Sequence, residues 1–180
     1  MSEQLSCSFD MIQTPIPVWT KILELFPIKE IDIFFEPFKG DGNLFNQVIN
    51  ENKEWCEITQ GKDIFQYDCK NSQVTTLYTN PPFKVELTNK KGETKLKNCV
   101  YYFLEHFMTN LPLLVSCGFL MNAKSFQSLT PKRLAKLNEL GFYIHNVVCI
   151  NIQKWYGLYY FVLFKKEPNK LFIGLKDYFY

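Results

Sequence analysis

"IDIFFEPFKGDGNLF", residues 31–45, decides how the rest of the chain is read. Its first half, "IDIFFEP" (31–37), is a short apolar run rich in β-formers and closed by Glu36-Pro37. That pattern predicts a strand buried on both faces, as in a parallel sheet. Gly40 and Gly42 then let the backbone turn tightly and come close to a ligand with no Cβ in the way. "NLFNQVINEN" (43–52) follows and predicts a helix whose first free N–H groups face the turn. The stretch is neither a P-loop, since no Gly-Lys-Ser/Thr follows, nor G-x-G-x-x-G, since the third glycine position is Phe45. On its own it fits a ligand turn and a plain strand–helix turn equally well.

The flanking sequence keeps alternating strands and helices. "TPIPVWTKILELF" (14–26) places Trp19, Ile22, Leu23 and Phe26 on one helical face. "EWCEI" (54–58), "TTLYTN" (75–80) and "LLVSCGFLMN" (113–122) read as strands, "CVYYFLEHFMTNL" (99–111) as a helix. "TPKRLAKLNELG" (130–141) is a helix with Thr130 as N-cap, Pro131 in the first turn and Gly141 as the stop. "GKDIFQYD" (61–68) reads as a loop with a short turn and "VELTNKKGETKLKN" (85–98) as a polar loop. The last strands, "FYIHNVVCINI" (142–152) and "LYYFVLFKK" (158–166), have no helix between them and predict a hairpin with an antiparallel strand. The whole is an α/β fold with a mainly parallel sheet.

Composition narrows the function classes. The chain of 180 residues fits one domain, and 47% hydrophobic residues suffice for a core. A net charge of +2 confines any basic surface to local patches. Cys7, Cys56, Cys69, Cys99, Cys117 and Cys149 show no CxxC spacing, and His106 and His145 lie near no ligand cluster. We expect reduced, mostly buried thiols and no metal site. The N-terminus lacks an apolar signal core, and no apolar run reaches the ~18–20 residues of a membrane span. The expected location is intracellular and cytoplasmic. Two alanines against fourteen asparagines suggest an AT-rich genome, viral or protist, acting in a host cell if viral.

A second stretch, "TNPPF" (79–83), ends the strand "TTLY" abruptly. Two prolines cannot continue a central strand, so the chain must leave the sheet there with an amide and a ring pointing outward. Ligands of open α/β sheets sit at such strand ends, and so does the Glu36-Pro37 turn. Glu57, 21 residues after Glu36, stands at the spacing that reaches ribose hydroxyls in nucleoside-binding folds.

"EPFKGDGNLF" followed by "NPPF" resembles the class I S-adenosylmethionine-dependent methyltransferases that modify amino groups: the N6-adenine, N4-cytosine and protein-glutamine enzymes. The resemblance runs from "QTPIPVWTKIL" to "YYFVLF" and implies a Rossmann-like, seven-stranded, mainly parallel sheet with helices on both faces. It implies S-adenosylmethionine as cofactor, with Glu36, Gly40 and Gly42 in the cofactor turn and Glu57 on the ribose. Asp63 and Ile64 would flank the adenine, Thr14-Pro15 would match the family's N-terminal cofactor motif, and Phe38 and Asn80 complete the cofactor set. The motif order resembles the γ arrangement of DNA amino-methyltransferases. Those enzymes usually carry a large target-recognition domain afterwards; here residues 1–180 read as a single catalytic domain, with a partner protein as the source of target specificity.

The chemistry explains the second stretch. An exocyclic amine is a poor nucleophile because its lone pair is delocalised into the ring. The Asn80 carboxamide oxygen and the Pro81 carbonyl would hold its N–H groups, Pro82 would stiffen the turn, and Phe83 would stack the base, worth ~1–3 kcal/mol. No tuned general base is needed; positioning and electrostatics carry the reaction. Lys84, Lys90 and Lys91 in the following basic segment are candidate phosphate contacts, and Trp155 and Tyr156 in "QKWYG" candidate stacking residues. The reading is adenine N6 in DNA ahead of RNA, with cytosine N4 a close variant. A duplex target would have to be flipped out. A protein-glutamine enzyme and a non-catalytic subunit supporting a partner are the alternatives.

Overall fold

The computed structural model describes residues 5–6, 13–88, 94–153 and 155–168, with backbone alone at 5–6, 84–88 and 94–98. In chain order the elements are β1 (Leu5–Ser6), α1 (Ile16–Leu25), β2 (Phe34–Glu36), β3 (Lys53–Trp55), β4 (Thr76–Thr79), β5 (Lys84–Thr88) and β6 (Thr94–Asn98). They continue with α2 (Val100–Asn110), β7 (Ser116–Asn122), α3 (Ala123–Gln127), α4 (Pro131–Glu139), β8 (Tyr143–Ile150) and β9 (Tyr159–Lys165).

The main sheet runs β3-β2-β4-β7-β9-β8. β3, β2, β4 and β7 are mutually parallel, and β9 is antiparallel to both β7 and β8. The chain goes from β2 outward to β3, then back across to β4. The order therefore reverses between β2 and β4, which opens a crevice over their carboxyl ends.

Strand alternation splits the core into two layers. Phe34, Tyr78, Leu120, Phe161 and Leu163 face α1, whose Trp19 and Ile22 are buried against them. Phe35, Leu77, Cys117, Phe119, Val162 and Phe164 face the other way, onto Phe103, Leu104 and Phe107 of α2 and Leu137 of α4. In the middle of the sheet Gly118 lets β7 pack tightly: a Cβ there would lie 2.3 Å from Phe161 Cζ and 2.6 Å from Tyr78 Cδ1.

Three expectations are corrected. The main sheet has six strands among the described residues, not seven. The segment 85–98, expected to be a loop, contributes β5 and β6, which pair antiparallel beside β1 in a separate three-stranded sheet. Its alternating sequence, "KVELT" against "TKLKN", suits a strand with polar residues on one face, and reading charge alone hides that period. The helix expected over 43–52 is a single 3-10 turn, Phe45–Gln47. Lys53 Nζ takes the Phe45 and Val48 carbonyls at 3.0 and 2.7 Å, the acceptors a longer helix would need. Asn50 Nδ2 is tied to the Lys29 and Asp32 carbonyls at 2.7 and 3.0 Å, which pulls the chain away from helical geometry. The terminal hairpin forms as expected.

Candidate functional site

β2 delivers Glu36 to the crevice and Pro37 ends the strand. The turn that follows has positive φ at Gly40 (+52°) and Gly42 (+87°), a conformation that disfavours any other residue. The Gly40 N–H donates to Glu57 Oε2 at 2.7 Å, and Gln60 Nε2 donates to the Gly40 carbonyl at 3.2 Å. Glu57 Oε1 accepts the Thr59 N–H and hydroxyl at 3.1 and 2.7 Å. Burial pushes the Glu57 carboxyl up, but the Thr59 hydroxyl, the Thr59 and Gly40 N–H groups and the Lys39 charge outweigh it, and its pKa lies below the usual value.

β4 ends at Thr79, and Asn80-Pro81-Pro82-Phe83 turns out of the sheet. Asn80 Nδ2 donates to Thr14 Oγ1 at 3.0 Å, while Asn80 Oδ1 is closed off from solvent and has no partner. Cys99, at the start of α2, donates its thiol to the Pro82 carbonyl and its N–H to the Phe83 carbonyl. Those two carbonyls are thus engaged by Cys99. Phe83 is half-buried, with its ring 6.3 Å from that of Tyr159, which packs in turn on Trp155 at 4.6 Å.

The two turns share one cleft. Glu36 stands between them, 3% exposed, with Oε2 unpartnered. Burial holds its pKa well above the usual carboxylate value, against the Phe45 N–H and the Lys39 ammonium and with some help from the Glu57 charge. One wall is apolar: Ile64 is buried, and Phe38 packs edge-on against Phe103 at 4.7 Å. Asp63 borders this wall, its carboxylate capping the 3-10 turn Ile64–Gln66 through the Phe65 N–H at 3.0 Å. The set brings two buried acceptors without partners and an apolar wall to one crevice.

Of the residues named from sequence, Thr14, Glu36, Phe38, Gly40, Glu57, Asp63, Ile64 and Asn80–Phe83 line this cleft. Pro15 instead caps α1, and Gly42 is buried within its turn. Trp155 reaches Phe83 only through Tyr159, and Tyr156 is 99% exposed and touches neither turn. Lys84 begins β5; Lys90 and Lys91 lie outside the described residues. The cleft also takes Gln13, Trp19, Asn43 and Lys62, which sequence reasoning did not nominate. In the sequence Trp19 reads as ordinary helix core. Lys62 shows its place only in three dimensions, where Lys39 and Lys62 lie over the Trp55 ring at 4.1 and 3.8 Å. Among the described residues, no helix is long and apolar enough to cross a membrane.

No protein-family model matches the chain, and no curated protein matches its sequence. Solved structures do match its fold. A provisionally assigned modification subunit of a type I restriction enzyme from Vibrio vulnificus YJ016 superposes with TM-score 0.59 at 14% identity, over 87% of this chain and 45% of that one. A provisionally assigned class I S-adenosylmethionine-dependent methyltransferase from Listeria monocytogenes gives 0.55 at 13%, over 94% and 64%. A provisionally assigned RNA methyltransferase from Pyrococcus horikoshii gives 0.51 at 16%, over 83% and 81%. The chain spans less than two thirds of the first two proteins. It has the fold of class I S-adenosylmethionine-dependent methyltransferases.

Proposed function

We propose that the protein transfers a methyl group from S-adenosylmethionine to an exocyclic amine, N6 of adenine in nucleic acid, with DNA ahead of RNA. One observation carries this reading: the glycine turn and the Asn80–Phe83 turn face one cleft at the switch point, each bringing a buried, unpartnered acceptor, Glu36 Oε2 and Asn80 Oδ1. A buried acceptor without a donor costs about 1–3 kcal/mol, so a ligand that brings N–H groups or positive charge removes a standing penalty. The restriction-enzyme subunit and the RNA methyltransferase among the fold neighbours agree with a nucleic-acid substrate.

The cleft fits this cofactor. Glu36 would take its cationic ammonium, Glu57 its ribose, and Phe38 and Ile64 its ring, with Asp63 at the ring's polar edge. Bound there, S-adenosylmethionine supplies a methyl group activated by the sulfonium charge. The chain's part is positioning. Asn80 Oδ1 and the Pro81 carbonyl accept the two N–H groups of the target amine and favour a pyramidal nitrogen with its lone pair free; the proton that the nitrogen sheds on methylation passes to solvent. Phe83 stacks the base and fixes its plane, and Cys99 holds the turn through the Pro82 and Phe83 carbonyls. A target-specifying partner would supply the sequence recognition.

The test is tritium transfer from labelled S-adenosylmethionine to adenine-containing DNA, RNA and a protein lysate in parallel. Label recovered as N6-methyladenine supports the reading and chooses the nucleic acid. Label in glutamine moves the protein to the peptide-modifying class. Cofactor binding with no label in any substrate points to the non-catalytic subunit.

A further inference from the structure

Thr14 makes one bond to each motif. Its backbone carbonyl accepts from Asn43 Nδ2 at 2.9 Å, next to the glycine turn. Its hydroxyl accepts from Asn80 Nδ2 at 3.0 Å, across 66 positions of sequence. Thr14 is itself only 3% exposed, and the preceding Gln13 lies over Gly40. Gln13-Thr14 is thus a short strap laid across both turns.

The bond matters because a carboxamide is nearly symmetric in shape and opposite in chemistry at its two ends. With Nδ2 on the Thr14 hydroxyl, Oδ1 is the end left unpaired. With the amide reversed, an N–H group would meet the N–H groups of the incoming amine, and donor would face donor. We infer that Thr14 is a positioning residue: its buried hydroxyl, accepting from Nδ2, anchors the Asn80 carboxamide at its nitrogen, so that the oxygen is the end left for the substrate amine. The inference rests on the proposed amine-transfer reading and gives Thr14 a task separate from holding the cofactor.

The experiment compares Thr14→Val, which keeps the shape and loses the hydroxyl, with Thr14→Ser, which keeps the hydroxyl. Methyl transfer is measured for each on the substrate that wild type labels. Thr14→Val is expected to lower kcat by about 10²-fold, the scale of losing one oriented dipole, with KM for S-adenosylmethionine within about threefold of wild type. Thr14→Ser is expected to restore kcat to within about threefold. The Asn80 side-chain amide signals in a ¹⁵N spectrum should shift in Thr14→Val and stay in place in Thr14→Ser. Wild-type kcat in Thr14→Val, or equal loss in both variants, would overturn the inference while leaving amine transfer intact. A wild-type protein that binds S-adenosylmethionine and labels no amine would overturn the underlying reading, and the positioning role with it.

Discussion

Glu57 Oε2 accepts the Gly40 N–H at 2.7 Å, so the segment that follows β3 holds the glycine turn in place. Thr59 occupies the other oxygen, and the three bonds keep the carboxylate ionised and oriented. A carboxylate has about four acceptor positions, which leaves room for a ligand hydroxyl. Glu57→Gln should keep the fold and weaken S-adenosylmethionine binding by about tenfold, the scale of one charge-assisted hydrogen bond. Isothermal titration calorimetry on the two proteins checks this. Equal affinity would remove Glu57 from the ligand site.

The pH dependence of stability should show Glu57 as well. Its folded pKa is depressed, so its contribution is present above the unfolded value and is lost as pH falls through the folded one. Thermal melts of wild type and Glu57→Gln should therefore diverge at neutral pH and converge on acidification below the ordinary carboxylate range.

Glu36 has the opposite sign. Its folded pKa is raised, chiefly by burial, so its ionisation destabilises the ligand-free protein as pH climbs from the ordinary value through the raised one. A cationic ligand favours the ionised form. Binding of S-adenosylmethionine should then release a proton, and affinity should rise with pH through the raised pKa. Calorimetry in buffers of different ionisation enthalpy measures that proton, and Glu36→Gln should abolish the release. Buffer-independent heats in wild type would place the ligand's cation elsewhere.

Part of this site was legible in the residues because it is written in backbone chemistry. Gly40 and Gly42 mark a turn that other residues disfavour, and Pro81-Pro82 mark a strand that cannot continue. Both signals are local, and both fall at strand ends facing one cleft. What sequence missed arrives through tertiary approach: Gln13 over Gly40, and Lys62 beside Trp55. The lost helix over 43–52 has the same cause. Lys53 and Asn50 compete for carbonyls and anchor the chain, which no propensity window records. Tyr156 offers only its aromatic character as a sequence signal, and the chain turns it outward.

Gly118 supplies a stability test away from the site. A Cβ there would meet the Phe161 and Tyr78 rings at 2.3 and 2.6 Å, inside a core that joins β4, β7 and β9. Overpacking of this kind costs about 1–3 kcal/mol. Gly118→Ala should lower Tm by about 2–12 °C, with the cleft unaltered. An unchanged melt would mean that the rings make room without penalty.

Asn80 carries the sharpest expectation. Its Oδ1 is a buried acceptor with no partner, and its nitrogen is already committed to Thr14. In the proposed reaction that oxygen holds one N–H of the target amine as positive charge develops on the nitrogen, so its worth is greatest in the transition state. Asn80→Ala should lower kcat by about 10²–10³-fold, with KM for the nucleic acid much less affected. Trp19 lines the same cleft, so its fluorescence reports cofactor binding independently of turnover. That signal should survive in Asn80→Ala, because Glu36 and Glu57 remain. Phe83→Ala should instead raise KM along with lowering kcat, because it removes the stacking face, and Phe83→Tyr should retain activity. Full turnover by Asn80→Ala would disprove the role given to this turn, whereas loss of cofactor binding would make Asn80 a cofactor residue rather than the amine's acceptor.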